Sequence, residues 1–273
     1  MAGTLYIVGT PIGNLGDFSP RAIQTLSAVD LIACEDTRVT AKLLNHFGIT
    51  AKCESYHKFN EKQKGGMILG KLQEGLSVAL CTDAGMPAIS DPGHELVALC
   101  HQNGIKVECV PGPTALTSAA ALSLVSTARF CFEGFLSTAP KSRKEHLNEV
   151  KTHKETLIFY EAPHKLRATL EDMLKVFGDR NISVVKEITK IHETVLKTTI
   201  LGAVEYFKEH DPKGEYVLII EGAKENDTEK ATLQDAVNMA KELKSGGMSA
   251  TEAAKTAAAK TGYKKSDIYK EIV

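Results

Sequence analysis

The 273-residue sequence is poor in aromatic residues: it contains no tryptophan, and the aromatic share is only 6%. It also lacks a long apolar run, since no segment approaches the roughly 18 residues of a membrane span. The N-terminal residues have neither the basic start nor the long apolar stretch of a secretory signal. We therefore expect a cytoplasmic protein with no membrane partner.

The chain also lacks an excess of charge of one sign, because 33 Lys and Arg are balanced by 34 Asp and Glu, which gives a net charge of −1. A chain without a global basic field would have to meet a nucleic acid through a local patch. Hydrophobic residues make up 43% of the chain, which excludes wholesale disorder. The length is sufficient for about two domains.

The cysteines include no C-x-x-C pair, and most of them lie within apolar runs. They are Cys34, Cys53, Cys81, Cys100, Cys109 and Cys131. This spacing favours buried free thiols in a reducing cytoplasm over disulfides or zinc ligands. The histidines show no metal-type i, i+4 pairing with carboxylate or cysteine, so we expect no metal site.

Short apolar, β-branched runs alternate with longer helical patterns, which is typical of α/β layers with much parallel pairing. The predicted strands are 5–9, 30–34, 77–81, 106–110, 130–135, 156–161, 182–187, 195–201 and 215–222. The predicted helices include 20–29, 61–75, 91–104 and 162–178. Some of the last strands lack full-length helices between them, so we expect a mixed sheet in the second half.

The composition changes at two points along the chain. Pro-Gly-Pro ends the fourth predicted strand, and a charged stretch without apolar period follows the last one. We therefore expect an N-terminal α/β domain at 1–112, a second α/β domain at 113–224 and a C-terminal helical module at 228–273.

Local signals predict several helix ends. Asp91 and Pro92 are expected to be the N-cap and first residue of one helix, and Gly178 the C-cap of another. In the C-terminal module, Ser249 precedes a glutamate by three residues, which is the spacing of a capping box. Ser266 is expected to cap the last helix.

Three loops rich in Gly, Pro and small residues directly follow predicted strands, at 8–22, 81–93 and 110–120. None contains the G-x-G-x-x-G or phosphate-loop pattern, and the chain has no G-x-S-x-G nucleophile turn. Open α/β sheets bind ligands beyond the carboxyl ends of their strands, so these are candidate ligand loops. The alternative is a set of tight strand-to-helix connections, although the second loop is longer than a connection needs.

A polar group of residues surrounds two of the predicted elements. Glu35, Asp36 and Arg38 lie just past a strand end, and His57 and Asn60 lie in a loop before a helix. Together they could supply a general base, a proton partner and hydrogen bonds to a substrate. The alternative is a set of surface ion pairs, which contribute little.

Two basic segments are candidates for contact with nucleic-acid phosphates. The first contains Lys141, Arg143 and Lys144, and the second, near the C-terminus, contains Lys264 and Lys265. The alternative is that both segments are solvated helix faces.

Six strings occur in an order that resembles the tetrapyrrole methylase superfamily. They are VGTPIGNLGDFSPRA, LIACEDTR, SYHKFNE, CTDAGMPAISDPG, VPGPTAL and FYEAPHKL. The resemblance spans essentially the whole chain and includes a C-terminal module similar to a helix-turn-helix domain. Tetrapyrrole-modifying members usually carry G-D-P in the second loop, whereas this chain has D-A-G-M-P, which favours the branch that methylates ribosomal RNA. The resemblance implies a two-domain α/β fold, a homodimer, and S-adenosyl-L-methionine (SAM) bound in the cleft between domains.

The resemblance also implies roles for individual residues. The implied cofactor-binding positions are Pro11, Asp83, Ala84, Gly85, Met86, Ile89, Thr114, Ala115, Tyr160 and Glu161. The resemblance places Glu35 near the family's acid–base carboxylate and His57 near its proton donor. For methyl transfer to a hydroxyl we expect Glu35 or Asp36 as the base, with Arg38, His57 and Asn60 orienting the substrate. From the charge of the two basic segments, we expect the RNA-binding positions to be Lys141, Arg143, Lys144, Lys264 and Lys265.

The implied activity is SAM-dependent methyl transfer to the ribose 2′-oxygen of a cytidine in the 16S rRNA of the small ribosomal subunit. Such a transfer requires no metal. Three alternatives stay open: a small-molecule methylase of the precorrin or uroporphyrinogen type, a protein-modifying methylase of the diphthamide type, and an RNA-binding protein without catalysis.

Overall fold

The computed structural model describes residues 2–224 and 233–273. The chain forms two compact units, Met1–Gly222 and Ala223–Val273. The first unit contains two five-stranded sheets with surrounding helices, and the second is helical, which confirms the predicted fold class. Among the helices of the described residues, none combines the length and apolar character needed to cross a bilayer.

The first sheet has five parallel strands in the order β3-β2-β4-β1-β5. They are β1 (Thr4–Val8), β2 (Leu31–Cys34), β3 (Cys53–Ser55), β4 (Val78–Cys81) and β5 (Lys106–Val110). Every side chain of β2 and β4 is buried, because helices cover both faces of the sheet. Along β1, Leu5 packs into the apolar cluster on one face and Val8 into the cluster on the other.

Besides a short 3₁₀ helix (Leu15–Asp17), four α-helices complete the first lobe, by which we mean the β1–β5 sheet with its helices. They are α1 (Pro20–Ala28), α2 (Thr37–His46), α3 (Glu61–Gln73) and α4 (His94–Gln102). Ser19 caps α1 by accepting a hydrogen bond from the backbone N–H of Ala22 at 3.1 Å. Because the strands are parallel, the loops that follow β1, β4 and β5 all leave the same edge of the sheet.

The second sheet has the order β6-β7-β10-β8-β9, and only β6 and β7 pair in parallel. Its strands are β6 (Phe130–Phe135), β7 (Thr156–Glu161), β8 (Asn181–Lys186), β9 (Thr194–Thr199) and β10 (Tyr216–Ile220). Its helices, which complete the second lobe, are α5 (Ala115–Ala121), α6 (Pro140–Val150), α7 (Pro163–Phe177) and α8 (Ile200–Glu209). The mixed pairing confirms the prediction for this half of the chain.

The second unit packs three helices, α9 (Leu233–Ser245), α10 (Ala250–Thr261) and α11 (Lys265–Ile272), around a small alanine-rich core. Ser249 caps α10 as predicted, since its Oγ accepts from the backbone N–H of Glu252 at 3.3 Å. Ser266 does not cap α11, because the N-cap position is Lys264. Residues 228–232 of the expected module lie outside the described residues.

Several elements differ from the sequence-based expectations. The strand predicted at 195–201 ends at Thr199, whose hydroxyl accepts from the N–H of Gly202 at 3.2 Å and starts α8. The helix predicted to start at Asp91 and Pro92 begins instead at His94, after Gly93 with φ +137°. Gly178 is the C-cap of α7 as expected, with φ +73°.

The cysteines are all free, but they are not all buried. Cys34, Cys81 and Cys100 are buried, as the apolar runs predicted. Cys109 is exposed on the edge strand β5, where an edge position leaves one side of the strand uncovered. The prediction of a buried thiol is therefore wrong for Cys109.

Candidate functional site

The three candidate ligand loops of the first lobe meet the second sheet around a cavity of about 380 Å³. Ile12 follows β1, the segment 83–91 follows β4, and Thr114 and Ala115 follow β5. The residues that line the cavity are Ile12, Glu35, Asp83, Ala84, Gly85, Met86, Ile89, Ser90, Asp91, Thr114, Ala115, Phe135, Tyr160, Glu161, Ala162, Val185, Glu187, Ile188, Lys190, Glu215, Tyr216 and Val217. Pro11 is absent from this lining, and its neighbour Ile12 takes that place.

The first two loops are joined by backbone hydrogen bonds. The N–H of Thr10 donates to the carbonyl of Gly85 at 2.9 Å, and the N–H of Gly85 donates back to Thr10 at 3.1 Å. The Thr10 hydroxyl donates to the carbonyl of Thr82 at 3.1 Å. The segment that carries Asp83 is therefore fixed against the end of β1.

The first and third loops approach each other as closely as glycine allows. A Cβ atom on Gly9 would lie 2.6 Å from Met86 Sδ and 2.7 Å from the backbone of Gly112. Real side chains do not tolerate such distances, so the contact between these loops requires glycine at both positions.

The second loop has an unusual backbone. Gly85 has φ +89°, and the non-glycine residues Ala88 and Ser90 have φ +64° and +67°. Left-handed conformations cost non-glycine residues about 1 kcal/mol or more each and concentrate at ligand sites. This backbone strain favours a ligand-binding role for the second loop over that of a plain strand-to-helix connection.

The second lobe contributes a flat apolar wall. The ring of Tyr160 contacts Phe132 and Phe135 edge to face, with centroid distances of 4.8 and 5.4 Å. Its hydroxyl accepts from the backbone N–H of Leu116 at 3.0 Å, which fixes the ring beside the start of α5. Of these residues, Phe135 and Tyr160 line the cavity.

Glu161 lines the cavity but its carboxylate is satisfied inside the second lobe. Thr169 Oγ1 donates to Glu161 Oε2 at 2.6 Å, and Lys165 Nζ lies 2.8 Å from Oε1. The residue is only 1% exposed. These contacts hold the end of β7 in place, and the contact of Glu161 with a cofactor stays a prediction.

Three carboxyl groups of the first lobe face the cavity: Glu35, Asp83 and Asp91. Burial raises the pKa of Glu35 above its usual value, and the Asp83 carboxylate adds to the shift. Burial also raises the pKa of Asp83. Asp91 has its pKa raised to about 6 by burial, with Glu35 and Asp83 contributing. Burial is the main cause of each shift, and the three grouped carboxyls form an acidic wall of the cavity that would attract a cation.

Asp36 and Arg38 lie outside the cavity lining and bind each other. Asp36 Oδ1 accepts from the Arg38 N–H at 2.8 Å and so caps α2, while Arg38 Nη2 lies 2.7 Å from Asp36 Oδ2. The hydrogen bonds from Arg38 lower the pKa of Asp36 to about 2. Such a carboxylate is a weak base, so the structure favours Glu35 over Asp36 for proton removal.

His57 and Asn60 form a compact turn before α3. Asn60 Oδ1 accepts from the His57 N–H at 2.8 Å, and Asn60 Nδ2 lies 3.3 Å from His57 Nε2. His57 Nδ1 is buried and has no hydrogen-bond partner among the described residues. The imidazole is close enough to Glu35 to lower the pKa of that carboxyl, opposing the effect of burial.

The sequence did not single out several residues that line the cavity. The sequence predicts Asp91 as a helix cap and Phe135 only as part of a strand. Lys190 Nζ lies 3.0 Å from both Glu187 Oε1 and Glu215 Oε2. These two glutamates stand in the loop after β8 and just before β10, far apart in sequence, so only the sheet topology could have brought them together.

The basic segment 140–154 forms α6 and part of the turn after it. Lys141 and Lys144 are exposed, with 89% and 50% of their side-chain surfaces accessible. Arg143 is buried, and its guanidinium donates twice to Asp172 Oδ2, at 2.9 and 2.7 Å. The guanidinium of Arg143 therefore has no free face for an RNA phosphate, and the structure argues against the predicted RNA contact of this residue. In the second unit, Lys264 and Lys265 are exposed at the start of α11.

The fold and the cavity define a two-lobed α/β protein whose ligand would lie between two sheets. The chain matches the family described as Tetrapyrrole (Corrin/Porphyrin) Methylases over residues 4–203. Among solved structures, a cobalt precorrin-4 methyltransferase shares this fold with a TM-score of 0.59 at 20% identity, covering 80% of this chain and 94% of that chain.

Similarity to curated proteins extends over almost the entire sequence. The chain is 45% identical to the Ribosomal RNA small subunit methyltransferase I of Synechocystis sp., covering 98% of this chain and 96% of that protein. The protein of the same name from Halalkalibacterium halodurans is also 45% identical, with coverages of 98% and 93%. The chain therefore belongs to the tetrapyrrole methylase family, a family of methyltransferases.

Proposed function

We propose that this chain transfers a methyl group from SAM to the ribose 2′-oxygen of a cytidine in 16S rRNA, and that it acts as a homodimer. The names of the relatives at 45% identity support the RNA substrate. The observation that carries the proposal is the group of Glu35, Asp83 and Asp91, with raised pKa values, in a cavity otherwise rich in apolar side chains.

The residues of the cavity fit SAM. The volume of the cavity, about 380 Å³, lies in the range of small-ligand sites. Ala84, Gly85 and Ala115 allow close approach by a flat ring, and Tyr160 supplies an apolar face. The positions that would hold the cofactor are Asp83, Ala84, Gly85, Met86, Ile89, Thr114, Ala115 and Tyr160. When bound, SAM supplies a methyl group on a positively charged sulfonium, which the acidic wall would favour.

Glu35 is the proposed proton acceptor. A ribose hydroxyl is a poor nucleophile, and a carboxylate within reach assists by removing its proton. The raised pKa of Glu35 makes it a stronger base than an exposed glutamate. Asp91, with a pKa of about 6, is partly protonated near neutral pH and so reduces repulsion among the three carboxyls.

His57 and Arg38 are proposed to position the substrate around Glu35. The Asn60 hydrogen bonds hold the turn that carries His57. Arg38 is 87% exposed in its side chain while Asp36 fixes its orientation at the start of α2. An exposed guanidinium held in one direction is suited to bind a phosphate beside the target nucleotide.

The proposed RNA-holding residues are Lys141 and Lys144 on α6, with Lys264 and Lys265 in the second unit. Contacts from lysine to phosphate carry no sequence information and position the RNA only. Recognition of the cytidine would follow from exposing a single unstacked nucleotide to the cavity.

The test uses small ribosomal subunits from cells that lack this gene, incubated with purified protein and SAM. We expect 2′-O-methylcytidine in the nucleoside digest of 16S rRNA, detected by mass spectrometry. Methylation on a base, or methyl transfer to a porphyrinoid with none to RNA, would overturn the proposal. Calorimetry that shows RNA binding without SAM binding would favour a non-catalytic protein instead.

A further inference from the structure

A second group of reactive side chains lies in the second lobe, outside the cavity lining. Cys131 and Glu133 lie on the edge strand β6, and His153 lies in the turn between α6 and β7. One ligand atom from each of the three lies within 4.8 Å of the others. None of the three lines the cavity.

The strand β6 has a bulge at Glu133. Phe132 pairs with Ile158 and Gly134 with Phe159, so Glu133 is the extra residue in the strand. Gly134 has φ +64°, a conformation that favours glycine. Bulges commonly redirect a single side chain at a functional position.

Two observations on histidines support a bound ligand at Cys131, Glu133 and His153. His153 Nδ1 is buried and has no hydrogen-bond partner among the described residues, which is a cost that a bound ion would remove. His146 Nε2 lies 3.0 Å from Glu133 Oε2. In protein metal sites, a hydrogen bond from a neighbouring side chain to a ligating carboxylate orients that carboxylate, and His146 is placed to make such a bond to Glu133.

We propose that Cys131, Glu133 and His153 bind one zinc ion, with water as the fourth ligand. Thiolate and imidazole ligands select Zn²⁺ over Mg²⁺ or Ca²⁺. Ligands of tetrahedral zinc lie about 3.3–3.8 Å apart, so side-chain adjustments of about 1 Å are sufficient. On binding, the Cys131 thiol releases its proton to solvent, and the resulting thiolate and the neutral imidazole donate electron pairs to the ion.

The ion would fix β6 to the turn that follows α6. That helix carries Lys141 and Lys144, so the zinc site would stabilise the segment proposed to hold RNA. The local spacing of cysteines and histidines did not predict this site, because His153 lies 20 residues after Glu133 and is brought beside β6 by the fold.

The test begins with full-length protein stripped of metal by a chelator and titrated with Zn²⁺ against a chromophoric competitor. We expect one zinc per chain for the wild type, and a loss of affinity of about 100-fold or more for Cys131→Ser and for His153→Gln. Cys109→Ser, which removes an exposed thiol on β5, is the matched control and should bind zinc as the wild type does.

Wild-type binding weaker than micromolar, or equal affinities in the wild type and both ligand variants, would overturn the proposal. Because a ligand variant could fail to fold, Co²⁺ is added to the wild type as a second measurement. A thiolate-to-cobalt charge-transfer band, retained in Cys109→Ser, supports the site. Its absence in the wild type overturns the assignment of Cys131.

Discussion

The two lobes contribute unlike walls to the cavity. The first lobe supplies three carboxyls with raised pKa values, Glu35, Asp83 and Asp91. The second lobe supplies carboxylates that are balanced by lysines, as in the pair of Glu161 and Lys165. Balanced pairs hold the structure together, whereas grouped carboxyls without such partners lower stability and are retained where a ligand or a proton needs them. The following substitutions test that contrast.

Glu35→Gln should have the largest effect on activity. Removing the proton acceptor should lower kcat for RNA methylation by about 10²–10⁴-fold with SAM affinity changed much less. Single-turnover methyl transfer to small subunits measures the rate. Glu74→Gln, at an exposed residue just after α3 that does not line the cavity, is the matched control and should retain most activity. Equal rates for Glu35→Gln and wild type would refute the assignment.

Glu161→Gln should have the largest effect on stability. It leaves the Lys165 ammonium, 11% exposed, without its carboxylate, which costs about 3 kcal/mol in the free energy of unfolding. Urea denaturation measures the loss. Asp211→Asn breaks the exposed pair with Arg167 and should cost less than about 1 kcal/mol. Similar losses in both variants would contradict the contrast between buried and exposed pairs.

Replacing Lys141 and Lys144 together by alanine should weaken RNA binding about tenfold and reduce the slope of log affinity against log salt by about 2. SAM affinity should not change, because neither lysine lines the cavity. Lys175→Ala, an exposed lysine on α7, is the control. An unchanged salt dependence in the double variant would exclude α6 from the RNA surface.

Asp91→Asn should have a small, pH-dependent effect on the stability of the ligand-free protein. The pKa of Asp91 is raised to about 6 in the folded chain, so the wild type loses stability as pH rises from about 4 through 6. The variant should therefore be more stable than wild type by about 1 kcal/mol near pH 8, after allowance for solvent screening, and equal to it near pH 4. A difference that does not vary with pH would contradict the raised pKa.

Much of the first sheet could be predicted from sequence because its buried strands are continuous apolar runs. The structure places β2 and β4 within one residue of the predicted 30–34 and 77–81. The strand β3 was not predicted, since Cys-Glu-Ser has no apolar run and pairs only with β2 at the edge of the sheet.

The site was only partly predictable, because a pattern shows residue types but not the directions of side chains. The basic segment predicted the same RNA-binding role for Lys141 and Arg143. Arg143, however, shares a helical face with Leu147 and Val150 and is buried. That i, i+4, i+7 spacing was the available signal. Asp91 could not be assigned to the cavity, since a positive-φ glycine two residues later moves the helix start past it.

The most direct test of the central claim, that the cavity between the lobes binds SAM, is calorimetry with Ala115→Trp. Ala115 lines the cavity, so the indole should fill it and weaken SAM binding about 100-fold or more, with the circular dichroism spectrum unchanged. Ala121→Trp, on the exposed end of the same helix, should bind SAM as the wild type does. Undiminished SAM binding by a folded Ala115→Trp protein would contradict the account.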